Sequence, residues 1–121
     1  MNLSIEAAYD LITYPAYTHY HTRIDRLHSI GVLFGMTPPP VETCKVLELG
    51  CGTGMNLVSL AYRNPEAQFL GIDLSGDQIR QAKETAAAIG LQNIEFRHQS
   101  ITEFGSDPRL FDYILVHGVF S

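Results

Sequence analysis

The chain has 121 residues, 45% of them hydrophobic and 17% charged, a composition that suits one globular domain with a core of its own. Eight Lys and Arg against thirteen Asp and Glu leave a formal charge of −5, and no two Lys or Arg residues are adjacent. That balance argues against a nucleic-acid partner, which needs a cationic surface. No apolar run approaches the ~18 to 20 residues of a membrane span, so no membrane partner is expected.

The N-terminus, MNLSIEAAYD, lacks the basic-then-apolar order of a secretory signal. Cys44 and Cys51 would flank one strand, a spacing that is neither a disulfide framework nor a metal knuckle. A reducing, cytoplasmic location is the expectation, and no metal site is expected. The H-x-H pair His19 and His21 has no further ligands near it in sequence.

Taken in chain order, the first 21 residues are tyrosine-rich (Tyr9, Tyr14, Tyr17, Tyr20), with a short helix expected over 4 to 11 and then an irregular arm. The tyrosines suit either an aromatic lid over a cationic ligand or anchors to the body. Ile24, Leu27, Ile30 and Phe34 fall at helical spacing and predict a helix over 22 to 34. Gly35 is placed to end it in a left-handed turn. The triplet Pro38, Pro39, Pro40 cannot continue a helix, which puts a boundary between an arm (1–40) and a body (41–121).

From residue 44 the pattern alternates. KVLEL reads as a strand, GCGTG as a turn, and MNLVSLAYRN as a helix closed by Pro65. AQFLGID is a second strand. In the helix SGDQIRQAKETAAAIG, Ser75 is a good N-cap and Gln78, three residues on, completes a capping box. Ile79, Ala82, Ala86 and Ile89 form its expected buried stripe, with Gly90 as its stop. NIEFRH is a third strand, ITEF at most one helical turn, and FDYILV a fourth strand. Such alternation predicts an α/β fold, a Rossmann-like doubly wound parallel sheet with right-handed crossovers.

The chemistry concentrates in VLELGCGTGMN. In doubly wound sheets ligands bind beyond the carboxyl ends of the strands, where Gly50, Gly52 and Gly54 follow Glu48. Glycine lets a loop press its backbone on a ligand, and the helix N-terminus behind it favours an anionic group. A dinucleotide loop wants G-x-G-x-x-G, with its third glycine where Met55 stands, and a P-loop would need Gly-Lys-Ser/Thr. Glu48 opposes a pyrophosphate and suits an ammonium. Asp73 ends the second strand, where a carboxylate could accept from both hydroxyls of a ribose, or could merely support the Ser75 cap. Cys51 is either a thiol of lowered pKa near a helix N-terminus or a small residue filling the loop.

These residues resemble a family. ELGCGTG, with GID one strand later and FDYILVHGV after that, resembles the class I S-adenosylmethionine-dependent methyltransferases over residues 44–121. The segment from Tyr14 to Gly52 is further similar to bacterial members that carry a methyltransferase-regulatory domain, some of whose relatives are regarded as protein-lysine methyltransferases.

The resemblance implies S-adenosylmethionine as cofactor. It places the backbone of Gly50, Cys51 and Gly52 along the methionine part, Glu48 near its amino group, and Asp73 on the ribose. Leu74 would pack on adenine, with Ser100 and Ile101 at the adenine edge, where the family often has an aspartate in place of Ser100. His117 would meet the methionine end. It is either a base, since imidazole titrates near neutrality, or a backbone contact. No catalytic residue is nominated, because a sulfonium-activated methyl needs mainly alignment.

The resemblance also implies that these residues supply strand order 3-2-1-4, the N-terminal half of a larger domain. On that expectation the piece is truncated, and FDYILV is an exposed edge through which the chain pairs with a copy of itself. The acceptor is unidentified, with a protein lysine among its candidates. The alternatives are a non-catalytic S-adenosylmethionine-binding or assembly module and, more distantly, a nucleotide-linked oxidoreductase.

Overall fold

The computed structural model describes residues 24–104 and 110–116. Its elements are α1 (Ile24–Leu33), one 3-10 turn at Val41–Thr43, β1 (Lys45–Leu49), α2 (Met55–Arg63), β2 (Gln68–Asp73), α3 (Gly76–Ile89), β3 (Ile94–His98), α4 (Ile101–Phe104) and β4 (Tyr113–Val116). The four strands form one sheet in the order β3-β2-β1-β4, and every pairing is parallel. This is the Rossmann-like order expected from the sequence.

Register places the strand side chains on two faces. Val46 lies opposite Phe69, Leu47 opposite Leu70 and Glu48 opposite Gly71. Val46, Phe69, Phe96 and Leu115 join Leu57, Leu60 and Ala61 of α2 and Ile79, Ala82 and Ala86 of α3 in the larger core cluster. Leu47, Leu70 and Ile72 face the other way, where Ile101 and Phe104 of α4 and Phe111 cover them. A strand side chain changes face at each residue, so Glu48 shares the α2/α3 face with Val46.

Each helix follows from local chemistry. In α3 the Ser75 hydroxyl accepts from Gln78 N at 3.2 Å, and Gly90, at φ +81°, closes the helix by donating to Ala86 O and Ala87 O. The capping box is not completed, because Ser75 N donates instead to Asp73 Oδ1 at 2.8 Å. A carboxylate two residues upstream is a local, charge-assisted acceptor, and it displaces the neutral amide of Gln78. In α2 the backbone amide and side-chain Nδ2 of Asn64 both donate to Leu60 O, so the helix ends before Pro65 is reached.

Two stripes run shorter than expected. In α1, Ile24 is buried but Ile30 is 37% and Phe34 78% exposed, and Gly31 takes the inward position. In α3, Ile89 at the last turn is 49% exposed. At these positions the apolar period continues on side chains that the described core does not bury.

Gly35, at φ +82°, ends α1 as anticipated, and Met36 N returns to Gly31 O at 2.9 Å. The proline segment is tied to the body, since Tyr113 Oη donates to Pro39 O at 2.9 Å. Ile24 belongs to the same core cluster as Val46. The expected helix at 4 to 11, the tyrosines, His19 and His21 lie outside the described residues. No helix of the described chain is long and apolar enough to cross a membrane.

Candidate functional site

The site forms where β1 and β2 end. Gly50 N and Cys51 N both donate to Ile72 O, at 2.8 and 3.0 Å, which folds the loop after β1 onto the end of β2. Gly52 N then donates to Asp73 Oδ2 at 2.9 Å. The three loop glycines all have positive φ, at 71°, 59° and 79°. At Gly54 glycine is required twice over: a Cβ would also stand 2.7 Å from the Phe96 ring and 2.9 Å from Ala82 Cβ. From that left-handed residue α2 begins, with Val58 N on Gly54 O at 2.8 Å.

Glu48 is 4% exposed. Its Oε2 accepts from Asn56 Nδ2 at 2.9 Å, whereas Oε1 is buried with no hydrogen-bond partner among the described residues. Burial pushes its pKa up to about 7; the Asn56 bond lowers it and the charge of Asp73 raises it further. A buried carboxylate with one idle oxygen calls for a cationic donor, so the donor set fits a ligand ammonium. An S-adenosyl group carries such an ammonium, and the residues present fit it.

Asp73 is 7% exposed, and each of its oxygens accepts one backbone N–H, from Ser75 and from Gly52. It therefore supports the start of α3 and holds the loop as well. A carboxylate has about four lone-pair sites, so acceptor capacity remains for hydroxyl protons.

Leu74 is 37% exposed beside it, and its carbonyl accepts from His98 Nε2 at 2.9 Å. Ser100 uses its hydroxyl to start α4, accepting from Glu103 N at 3.1 Å and sharing a 2.9 Å bond with Thr102. Ile101 turns toward the Leu47, Leu70 and Ile72 cluster. His117 lies outside the described residues.

Cys51 resolves the other way from a reactive thiol. It is 8% exposed, and burial, then the charges of Glu48 and Asp73, push its pKa well above the usual thiol value. Burial first, and then two carboxylates, disfavour a thiolate here, so Cys51 is a loop-filling residue. Both cysteines are free. Among the described residues no group of three His, Cys, Asp or Glu is arranged to hold a metal.

Three residues of the site were not anticipated. Asn56 is 4% exposed in the first turn of α2 and holds Glu48; its signal was a polar residue preceding Leu57 and Val58 on the buried side. Gln78 is 4% exposed and sits four and eight residues before Ala82 and Ala86, hence on the buried stripe. His98 is opposite Asp73 in the sheet, a relation only register reveals.

A family model described as a methyltransferase domain matches residues 40–121, which contain all of these elements from β1 onward. The chain belongs to the class I S-adenosylmethionine-dependent methyltransferases.

Within that family it is 43% identical over 114 residues to an uncharacterized protein of Rickettsia prowazekii, covering 94% of this chain and 46% of that protein. It is 38% identical over 93 residues to the ribosomal RNA small subunit methyltransferase G of Bacteroides thetaiotaomicron, covering 77% of this chain and 43% of that enzyme. Among solved structures, PKMT2 from Rickettsia typhi in complex with AdoHcy superposes with a TM-score of 0.85 at 44% identity, over 89% of this chain and 21% of that one. This methyltransferase chain thus spans less than half the length of each of these relatives.

Proposed function

We propose that the chain is the cofactor-binding part of a methyltransferase that moves a methyl group from S-adenosylmethionine to a protein lysine. The observation that carries the cofactor assignment is the idle Oε1 of buried Glu48, beside a glycine loop that is tied to Asp73. Glu48 would take the ammonium of the cofactor, and Asp73 its ribose hydroxyls. Leu74 and Ile101 would wall the adenine, and Ser100 would stand at its edge. Gly50, Cys51 and Gly52 would pass along the methionine part. When bound, the cofactor supplies a methyl group already activated by its sulfonium. The chain's own share is alignment: a loop held by backbone hydrogen bonds and two buried carboxylates.

Two facts support lysine over RNA as acceptor. The likeness to PKMT2 is greater in identity and in the share of this chain covered than the likeness to the ribosomal RNA enzyme. A net charge of −5 without basic runs does not suit a phosphate backbone. The cytoplasm is the compartment we propose, on the two free and buried thiols.

Titration calorimetry with S-adenosylmethionine, S-adenosylhomocysteine and NAD tests the cofactor assignment. Saturable NAD binding without S-adenosyl binding would overturn it. The acceptor is tested by tritium transfer from labelled S-adenosylmethionine with the full-length protein, offering lysine-rich protein and total RNA side by side. Label in RNA alone would overturn the lysine assignment. Cofactor binding with no transfer to either would favour a non-catalytic module.

A further inference from the structure

We propose that Gln78 is a specificity-determining residue of the ligand site, its side-chain amide donating to the oxygen of a ribose hydroxyl whose proton Asp73 accepts. The assignment rests on the S-adenosyl reading above.

Gln78 lies in the first turn of α3 and is 4% exposed. Its backbone amide caps onto Ser75 Oγ, but its side chain bonds none of the described residues. Because Asp73 occupies Ser75 N, the side chain is released from the capping box and turns toward the glycine loop. Its amide oxygen stands 3.3 Å from the place a Cβ of Gly52 would occupy. The Gln78 amide thus lies beside the loop residue whose N–H Asp73 holds. Rotation about the last side-chain bond presents the amide nitrogen to the same place.

Gly52 therefore has two polar groups beside it. Its N–H is held by Asp73 Oδ2 at 2.9 Å, and the Gln78 amide flanks its Cα. The carboxylate can only accept, whereas the amide can donate. A hydroxyl that gives its proton to Asp73 keeps lone pairs that require a donor in so buried a place. Gln78 is the amide at hand, since no described residue bonds its side chain. A carboxylate and an amide together recognise a hydroxyl as both donor and acceptor, and so distinguish ribose from a deoxyribose.

The test uses the chain as it stands, with titration calorimetry of wild type, Gln78→Met and Gln78→Glu against S-adenosylhomocysteine and its 2′-deoxy and 3′-deoxy analogues. Methionine keeps the bulk and the backbone cap, so circular dichroism and the melting midpoint should hold. Gln78→Met is expected to weaken S-adenosylhomocysteine about five- to tenfold, the scale of one hydrogen bond. Against one of the deoxy analogues it should bind as wild type does. Gln78→Glu, which loses the donor, should weaken S-adenosylhomocysteine at least as much. Equal loss for all three ligands, or no loss for any, overturns the role of Gln78 while leaving the cofactor assignment intact. Failure of the wild-type chain to bind S-adenosylhomocysteine would overturn that assignment, and this inference with it.

Discussion

Asn56 Nδ2 donates to Glu48 Oε2 at 2.9 Å and leaves Glu48 Oε1 buried without a partner among the described residues. One residue comes from the strand before the glycine loop and the other from the helix after it. The pair therefore spans the loop, and the protonation state of Glu48 becomes part of both stability and binding.

The first prediction concerns pH. With Glu48 raised from 4.5 to about 7, the folded chain holds a proton that the unfolded chain has released. The contribution of Glu48 to stability is thus fully present below about 4.5, is lost as pH rises through 7, and then levels. A shift of that size corresponds to about 3 kcal/mol. Urea unfolding of wild type and Glu48→Gln at pH 5 and pH 8 checks this. The variant should lack that part of the loss, and an identical pH difference in both proteins would contradict it.

Ligand binding should report the same proton. An ammonium at Oε1 favours the ionised form, so binding S-adenosylhomocysteine near pH 6 should release up to about one proton. Calorimetry in buffers of different ionisation enthalpy reads this directly. The release should shrink toward zero above pH 8 and be absent in Glu48→Gln.

Asn56→Leu removes the only described donor to Glu48 Oε2. Leaving a buried acceptor unsatisfied costs about 1 to 3 kcal/mol, more when it is charged. The loss should therefore be larger at pH 8 than at pH 5, as measured by thermal melts. A pH-independent loss would mean that Asn56 does not act through the charge of Glu48.

Asn93 gives a contrasting case at the opposite end of the strands. Its Nδ2 lies within 3.0 to 3.1 Å of the carbonyl oxygens of Ala61, Asn64 and Ala67, tying the start of β3 to the end of α2. Asn93→Ala is expected to cost about 2 kcal/mol in urea unfolding while leaving S-adenosylhomocysteine affinity unchanged. A loss of affinity without loss of stability would run against this assignment.

We also propose self-association through β4, which pairs with β1 on one side and with no described strand on the other. Ile114 and Val116 on this edge strand are 59% and 40% exposed. Sedimentation equilibrium should show dimers or larger species that Ile114→Lys diminishes. A monodisperse wild-type monomer would contradict the proposal.

The strands and helices of the body were legible because their signals are local. KVLEL and QFLGID are apolar runs ended by glycine or by an acid, and the cap at Ser75 and the stop at Gly90 act within one turn. Where the sequence misled, the deciding partner was distant or charged. The Ile89 and Phe34 positions keep the helical period yet stay largely exposed. Gln78 was assigned to a capping box because the competition from Asp73 depends on how β2 turns into α3.

Glu48, three loop glycines and Asp73 at the end of the next strand were enough, by residue type and spacing, to mark the site and exclude a dinucleotide loop. Only the folded chain decided what each carboxylate faces. Glu48 is starved of a second donor because its strand is buried between β2 and β4 and Asn56 reaches only one oxygen. Asp73 is shared between loop and helix because parallel register sets the end of β2 beside the turn after β1. Hydrogen-bond satisfaction is a property of three-dimensional neighbours, and no spacing along the chain encodes which lone pair is left over.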